Sequence, residues 1–217
     1  MGGYVNRVPV LDNADLSLDL DEMERRVTAN TRLVFVCNPN NPTGSILPAA
    51  RLRDFCESVS KRTVVFSDEA YFDYITEPGY LSMVELVKKN ANVIVSRTFS
   101  KVYGMAGMRI GYLIARPDLI RRIKAVQIDQ PNMLALHAAN AALVDQDFYR
   151  FSLQKNTEGK ALLYQTLDSL KLPYVRSHAN FVFFKTGKDI GGVIRDMRAQ
   201  GIEVGRPFMP LSEWCRV

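Results

Sequence analysis

One lysine lies between two apolar runs in a segment that could carry amine chemistry. Residues 93–95 are β-branched, residues 96–100 include two serines and a threonine, Lys101 follows, and residues 110–115 form a second mostly apolar run. A strand that ends in such a loop would display the amine at one edge of a sheet. The pKa of lysine falls readily on desolvation, which suits this side chain to Schiff-base formation. A loop lysine can equally be solvated and inert.

Phosphate-binding groups flank this lysine in the sequence. Thr98 and Ser100 contribute two hydroxyls, and Arg109 contributes a guanidinium. Hydroxyl donors and a planar guanidinium together are suited to holding a phosphate. Arg109 could also serve only in a surface ion pair. The segment therefore predicts a phosphate-bearing ligand beside a reactive amine.

Two earlier apolar runs also end in polar residues. Residues 32–37 stop at the turn N-P-N-N-P-T-G, which contains Asn41, and residues 63–67 run into Asp68. The prolines and glycine of the turn exclude regular structure and hold its asparagines in fixed directions. Ligands of parallel sheets bind at the carboxyl ends of strands, so we expect Asn41, Asp68 and Lys101 to converge. The simpler alternatives are that Asn41 is a turn residue and that Asp68 caps the turn after it.

Predicted strands and helices alternate in the first half of the chain. This alternation predicts an α/β fold with a doubly wound, mostly parallel sheet. The predicted strands are residues 4–10, 32–37, 63–67, 93–95 and 110–115, and the predicted helices are residues 19–27, 48–61 and 81–89.

The pattern changes after Pro117. Helices are predicted over residues 118–129, 134–143, 148–170 and 190–200, with strands at 180–184 and 202–204. We expect a large ligand-binding domain over residues 1–150 and a smaller α+β carboxyl-terminal lobe over residues 151–217, joined through the long helix.

Composition excludes several classes of function. The 217 residues are 47% hydrophobic and 24% charged with a net charge of +5, as in ordinary globular proteins. Lys and Arg are scattered, so nucleic-acid binding is not expected. No apolar run reaches the length of a membrane span. Three cysteines without metal-ligand spacing and two histidines, His137 and His178, predict reduced thiols, a cytoplasmic location and no metal site.

The predicted convergence suits a cofactor with an aldehyde, a phenolic oxygen, a pyridine nitrogen and a phosphate. Lys101 would form the Schiff base with the aldehyde. Asp68 would keep the pyridine nitrogen protonated, because an adjacent negative charge favours the cation. Asn41 and Tyr71 could hydrogen-bond the phenolic oxygen. The protonated ring could then accept electrons from a substrate Cα, and Lys101 could move the Cα proton.

These motifs together resemble a known family. N-P-N-N-P-T-G, S-D-E-A-Y, S-R-T-F-S-K and R-I-G-Y, in this order, look like the signature of class I/II pyridoxal-phosphate aminotransferases of fold type I, histidinol-phosphate aminotransferase-like. The resemblance implies the cofactor pyridoxal 5'-phosphate. It also implies that Lys101, Asp68 and Tyr71 are catalytic and that Asn41, Thr98, Ser100 and Arg109 bind the cofactor. Arg216 would bind the substrate carboxylate, and Arg206 would contact the far end of the substrate.

The resemblance implies transfer of an amino group between an amino acid and a 2-oxo acid in a homodimer. Histidinol phosphate and aromatic amino acids are candidate substrates. A decarboxylase of a phosphorylated amino acid with the same fold, and an inactive remnant, remain alternatives. Members of the family extend further at both ends, so we expect an incomplete chain whose sheet has an uncovered apolar face. The glycine-rich nucleotide motifs are missing, which excludes a nucleotide-binding domain.

Overall fold

The main sheet combines three parallel strands with one antiparallel strand. The computed structural model describes residues 3–217. Strands β1 (Leu33–Cys37), β2 (Val64–Asp68), β3 (Val93–Thr98) and β4 (Gly111–Ala115) lie side by side in this order. The first two pairings are parallel, and β3 pairs with β4 antiparallel. The predicted α/β fold with a mostly parallel sheet is therefore confirmed.

Seven α-helices occur within residues 3–217. They are α1 (Leu20–Arg25), α2 (Ala49–Val59), α3 (Val84–Lys88), α4 (Pro117–Ala125), α5 (Met133–Val144), α6 (Gln146–Ser169) and α7 (Ile190–Ala199). Short 3₁₀ turns cover Phe72–Tyr74 and Ala106–Met108. None of the helices in this range is both long and apolar enough to cross a bilayer. The same residues contain no cluster of His, Cys, Asp and Glu that could hold a metal ion.

One face of the main sheet is covered and the other is open. Val34 and Val36 of β1 are buried against a core that includes Leu52 and Phe55 of α2. A fully buried side chain of this size contributes about 1.5–3 kcal/mol to folding. On the opposite face, Leu33 is 48% and Phe35 53% exposed. The expected uncovered apolar face is thus present, whereas aggregation through it stays a prediction.

A second, smaller sheet follows α6. Strands β5 (Tyr174–Val175), β6 (Phe183–Lys185) and β7 (Trp214–Arg216) pair antiparallel in that order. The rings of Phe183 and Trp214 stack with centroids 5.0 Å apart. The expected division between residues 150 and 151 falls inside α6, a continuous helix, and the division itself stays a prediction.

Two strand predictions were wrong. Residues 4–10 form no strand, and Val10 makes only an isolated bridge to Leu18. Residues 202–204 also lie outside any strand. Near them, the N–H of Gly205 donates to Arg216 O over 2.9 Å, but one hydrogen bond is not a ladder, and Pro207 has no N–H to extend it. A short apolar run becomes a strand only where it forms a ladder of hydrogen bonds with a neighbouring strand.

Helix α3 is shorter than predicted. Residues 81–89 were expected to be helical, but α3 begins at Val84. The N–H of Met83 donates to Glu69 Oε1 over 2.8 Å, and the N–H of Val84 donates to Ser82 Oγ over 3.1 Å. Side-chain acceptors therefore bind the amides at the start of this segment.

Candidate functional site

A hydrogen-bonded turn follows β1 and carries Asn41. The buried Asn38 accepts a hydrogen bond from the N–H of Leu47 over 2.8 Å and donates to Tyr80 Oη over 2.7 Å. Tyr80 Oη in turn donates to Leu47 O over 2.7 Å. These bonds tie the start of the turn to the chain leaving it, and Asn41 lies exposed at its tip.

The carboxyl-terminal part of the chain docks on this turn at Gly44. Gly44 has φ +77°, and a Cβ added there would lie 2.5 Å from Ser177 Oγ. The N–H of His178 donates to Gly44 O over 2.7 Å. Glycine is required here, both for the left-handed backbone and for the close approach of Ser177. The pKa of His178 is lowered, mainly by burial.

Three side chains from distant parts of the chain form a hydrogen-bonded row. Asn41 Nδ2 donates to Tyr71 Oη over 3.2 Å. Arg216 Nη1 donates to Asn41 Oδ1 over 2.6 Å, although the two residues are 175 positions apart in the sequence. Both ends of the Asn41 amide are therefore occupied, which fixes its orientation.

Lys101 joins this row through Tyr71. Its Nζ lies 5.0 Å from the centroid of the Tyr71 ring, within the range of a cation–π contact. Tyr71 is buried, and its ring packs nearly perpendicular to that of Phe181 at a centroid distance of 5.2 Å. Lys101 is half-buried, and Val102 beside it is almost fully buried. The amine is thus held against the ring that Asn41 contacts.

Asp68 ends β2 three residues before Tyr71. Its Oδ1 accepts hydrogen bonds from Ser96 Oγ over 3.0 Å and from the N–H of Ala70 over 3.1 Å. Cys37 is its register partner on β1. Burial, reinforced by the negative charge of Asp68, raises the pKa of the Cys37 thiol to about 12. Asp68 is therefore fixed at the same strand ends as the Asn41 turn and the Lys101 loop.

The three residues predicted for a phosphate are only partly together. The N–H of Ser100 donates to Thr98 Oγ1 over 3.0 Å, so these two residues form one turn. Arg109 is exposed with φ 52°, and its Nη1 donates to Ala106 O over 2.8 Å. Opposite Thr98 lies Gly111, where an added Cβ would come within 2.7 Å of Arg97 O. The guanidinium of Arg109 thus contacts its own turn.

Arg206 and Arg216 both contact the aromatic ring of Phe208. Arg216 Cζ lies 4.8 Å and Arg206 Cζ 5.2 Å from the centroid of Phe208. Arg216 Cζ is also 5.2 Å from the Phe181 ring. The two phenylalanines were not predicted as site residues. Phe181 was assigned to a strand, and no local pattern marks Phe208.

Glu69 and Arg97 were also missed. Glu69 is 3% exposed, and its Oε2 lies 2.7 Å from Arg97 Nη2. Both residues lie inside motifs that resemble those of the family, S-D-E-A-Y and S-R-T-F-S-K. The signal that could have found them is a pair of opposite charges, each two positions after the end of a predicted strand.

Comparison with known proteins gives the family. A model of aminotransferase class I and II matches residues 1–217. The histidinol-phosphate aminotransferase of Moorella thermoacetica is 43% identical over 208 residues, which is 94% of this chain and 53% of that protein. Histidinol-phosphate aminotransferase 1 of Cupriavidus pinatubonensis is 42% identical over 220 residues, 97% of this chain and 57% of that protein. The chain spans about half the length of the curated relatives it matches.

Solved structures agree with this assignment. A crystal structure from Erwinia carotovora atroseptica has a TM-score of 0.91 at 33% identity, and covers 97% of this chain and 62% of that one. Histidinol-phosphate aminotransferase from Sinorhizobium meliloti, solved in complex with pyridoxal-5'-phosphate, has a TM-score of 0.85 at 30% identity. It covers 99% of this chain and 59% of that chain. The predicted family and its fold are confirmed: the chain belongs to the aminotransferase class I and II family.

Proposed function

We propose that this chain carries the cofactor and substrate contacts of a pyridoxal-phosphate-dependent aminotransferase. One observation supports this proposal most strongly, the row in which Arg216 donates to Asn41, Asn41 donates to Tyr71, and Lys101 lies against the Tyr71 ring. A carboxylate-binding guanidinium, an amide, a phenol and an amine in contact are the groups that an amino-acid transformation at Cα requires.

The residues present fit pyridoxal phosphate by the chemistry of their donors. Lys101 offers an amine to the aldehyde, and the Asp68 carboxylate, already fixed by Ser96, offers a negative charge to the pyridine nitrogen. Asn41 and Tyr71 would bind the phenolic oxygen of the cofactor. Its phosphate would be bound by Thr98, Ser100 and Arg109. For Arg109 this assignment requires its guanidinium to leave Ala106 O.

Each residue then has a defined task. When bound, pyridoxal phosphate supplies an aldehyde that condenses with amines and a protonated ring that accepts electrons. Asp68 keeps the ring nitrogen charged, and Asn41 and Tyr71 hold the phenolic oxygen. Lys101 Nζ accepts and returns the proton at the amino-acid Cα. Arg216 holds the substrate carboxylate in a bidentate grip and is itself oriented by Asn41 Oδ1.

The substrate proposal follows from the second guanidinium. Arg206 and Arg216 both contact the Phe208 ring, so a substrate held by Arg216 would extend a negatively charged far end toward Arg206. Relatives named histidinol-phosphate aminotransferase are in keeping with a phosphorylated amino donor such as histidinol phosphate. Aromatic amino acids are the second candidate class, and a 2-oxo acid is the partner substrate.

We infer two further properties of the protein. A homodimer is proposed from family membership. A cytoplasmic location is proposed because Cys37, Cys56 and Cys215 are all free thiols, as expected in a reducing compartment.

A single-turnover assay tests the proposed function. The native protein, loaded with pyridoxal phosphate, is mixed with glutamate, and 2-oxoglutarate and pyridoxamine phosphate are quantified. One equivalent of each per site is expected, and a Lys101→Ala variant should form neither at a measurable rate. Carbon dioxide release without any oxo acid would instead indicate a decarboxylase. Equal turnover by Lys101→Ala would contradict the assignment.

A further inference from the structure

A second cluster of side chains lies directly behind the proposed cofactor contacts. We call it the rear cluster and define it as Glu69, Phe72, Ser82 and Arg97. Three of its members immediately follow a residue of the site in the sequence: Glu69 follows Asp68, Phe72 follows Tyr71, and Arg97 follows Ser96.

Glu69 is the centre of the rear cluster. It is 3% exposed, and four donor atoms contact its carboxylate. Ser82 Oγ donates to Oε2 over 2.7 Å, and the N–H of Met83 donates to Oε1 over 2.8 Å. Arg97 approaches Oε2 with Nε at 2.9 Å and Nη2 at 2.7 Å. Both carboxylate oxygens therefore have hydrogen-bond donors, as a buried carboxylate requires.

Strand geometry places the rear cluster and the site on opposite faces of the sheet. Val65 and Ser67 of β2 point toward the helices, and Glu69 continues that alternation toward the start of α3. Asp68 points to the other face, where Ser96 Oγ donates to it over 3.0 Å. The N–H of Glu69 bonds to Ser96 O over 3.0 Å, so the β2–β3 ladder runs directly between the two pairs.

The rear cluster also reaches the turn that carries Tyr71. Arg97 Cζ lies 4.1 Å from the centroid of the Phe72 ring. The N–H of Phe72 donates to Glu69 O over 3.0 Å, which closes the turn around Tyr71. The side chain of Arg97 is only 14% exposed, so its stacking on Phe72 is shielded from water.

The rear cluster is also balanced in charge. Arg97 Nη2 lies 2.7 Å from Glu69 Oε2, so the carboxylate that follows Asp68 in the sequence is paired with a guanidinium on the helix-covered face. Asp68 therefore has an ion pair, and not a lone carboxylate, as its neighbour in the sequence.

We infer that Glu69 and Arg97 are positioning residues for the cofactor, acting through Asp68 and the Asp68–Ser96 hydrogen bond from the far side of the sheet. This inference rests on the proposed function, because Asp68 has a ring nitrogen to hold only if pyridoxal phosphate binds. It assigns a role to an ion pair that touches neither cofactor nor substrate.

Two cofactor probes separate positioning from general stabilisation. The first is pyridoxal phosphate, and the second is its analogue in which CH replaces the ring nitrogen. Asp68 can contact only the first through that nitrogen. Dissociation constants for both probes are measured by absorbance titration of the native protein, of Glu69→Gln and of Asp68→Asn. Asp118→Asn is the matched control, because Asp118 pairs with Arg116 over 2.9 Å outside the site.

A selective loss of affinity is expected. Glu69→Gln should raise the dissociation constant of pyridoxal phosphate about tenfold, the scale of one charge-assisted hydrogen bond, and that of the analogue by less than about twofold. Adding Glu69→Gln to Asp68→Asn should give no further loss, because both changes act on the same contact. Asp118→Asn should bind both probes like the native protein.

If Glu69→Gln raised the dissociation constants of both probes equally, or if the losses of affinity were additive in the double variant, this inference would be overturned and the proposed function would not. A native protein that binds neither probe would overturn the proposed function and this inference with it. If Glu69→Gln does not fold, Arg97→Lys is tested instead. This change retains the positive charge and loses only the planar, bidentate guanidinium. Its loss should again be confined to pyridoxal phosphate, and an equal loss for both probes would be decisive against positioning.

Discussion

Replacing Gly44 with alanine tests whether the carboxyl-terminal segment must dock on the Asn41 turn. Gly44 has φ +77°, and an added Cβ would lie 2.5 Å from Ser177 Oγ and 3.0 Å from Ser177 Cβ. The backbone of Ser177 is also close, with its Cα 3.2 Å from the added atom. The flexible hydroxyl can rotate away, but the backbone cannot, so the segment itself must shift.

The magnitude has two separable parts. Left-handed backbone disfavours alanine by about 1–2 kcal/mol. Overpacking against Ser177 and stretching of the bond from His178 N–H to Gly44 O, which is 2.7 Å long, add roughly 1–3 kcal/mol. Gly44→Ala should therefore lower the free energy of unfolding by about 2–5 kcal/mol.

Gly79 is a matched control for the backbone part. Its φ is +74°, and a Cβ there meets nothing within 4 Å. Gly79→Ala should lower the free energy of unfolding by about 1–2 kcal/mol, the strain part alone. Urea unfolding followed by circular dichroism measures both variants. The double variant Gly44→Ala/Ser177→Gly should regain part of the unfolding free energy that Gly44→Ala loses by overpacking. It removes the Ser177 side chain, which is nearest to the added Cβ.

Equal destabilisation by Gly44→Ala and Gly79→Ala would refute this reasoning. It would mean that Ser177 does not press on the turn, and that the contact between Asn41 and Arg216 does not depend on docking at Gly44. Gly44→Ala should also raise the amino-acid KM, because a displaced segment would separate Arg216 from Asn41.

Four further changes have distinct expected outcomes. Asp68→Ala should lower kcat on the order of 10³-fold, because the ring nitrogen loses its charge partner. Arg216→Lys should raise the amino-acid KM about 10- to 100-fold with a smaller effect on kcat, because lysine lacks the planar fork. Ser67→Ala should leave the free energy of unfolding unchanged or raise it by up to about 1 kcal/mol, because within the described residues the buried Ser67 Oγ has no hydrogen-bond partner. Burial raises the pKa of Cys56 to about 12, from 9.0 for a free thiol, so the unfolded chain loses this proton first and stability should fall from about pH 9 toward pH 12.

Steady-state kinetics and denaturant unfolding check these outcomes. Unchanged turnover in Asp68→Ala would remove its proposed role, and an unaltered KM in Arg216→Lys would separate that residue from the substrate carboxylate. A clear destabilisation by Ser67→Ala would point to a hydrogen bond that its hydroxyl makes. For Cys56, the control is Cys56→Ala. Its unfolding free energy should be lower than that of the native protein at every pH, because the smaller side chain packs less well, and should decline less steeply above pH 9.

Much of the site could be predicted because its residues lie at the ends of strands. Continuous apolar runs predicted β1, β2 and β3, and parallel strands bring their carboxyl ends to one edge of the sheet. Asn41, Asp68 and Lys101 were expected to converge there. In the structure Asn41 donates to Tyr71, Lys101 lies against the Tyr71 ring, and Asp68 ends β2 three residues before Tyr71, while their joint binding of a cofactor stays a prediction.

Other features depend on contacts between segments far apart in the sequence. The stacking of Arg206 and Arg216 on Phe208 requires the packing of the second sheet, which no local pattern specifies. The absence of strands at residues 4–10 and 202–204 depends on the hydrogen bonds that each segment can form in the fold. Val10 makes only an isolated bridge to Leu18, and beside β7 only Gly205 N–H bonds to Arg216 O, since Pro207 has no N–H to extend a ladder. The exposed Arg109 donates to Ala106 O in its own turn, where the sequence suggested a phosphate contact or a surface ion pair.

Borohydride trapping tests the central claim most directly. The native protein is incubated with pyridoxal phosphate, reduced with borohydride, digested and mapped by mass spectrometry. One phosphopyridoxyl group per chain is expected on the peptide that contains Lys101, and this adduct should be lost in Lys101→Ala. Reduction that labels other lysines equally, or labelling unchanged in Lys101→Ala, would contradict it.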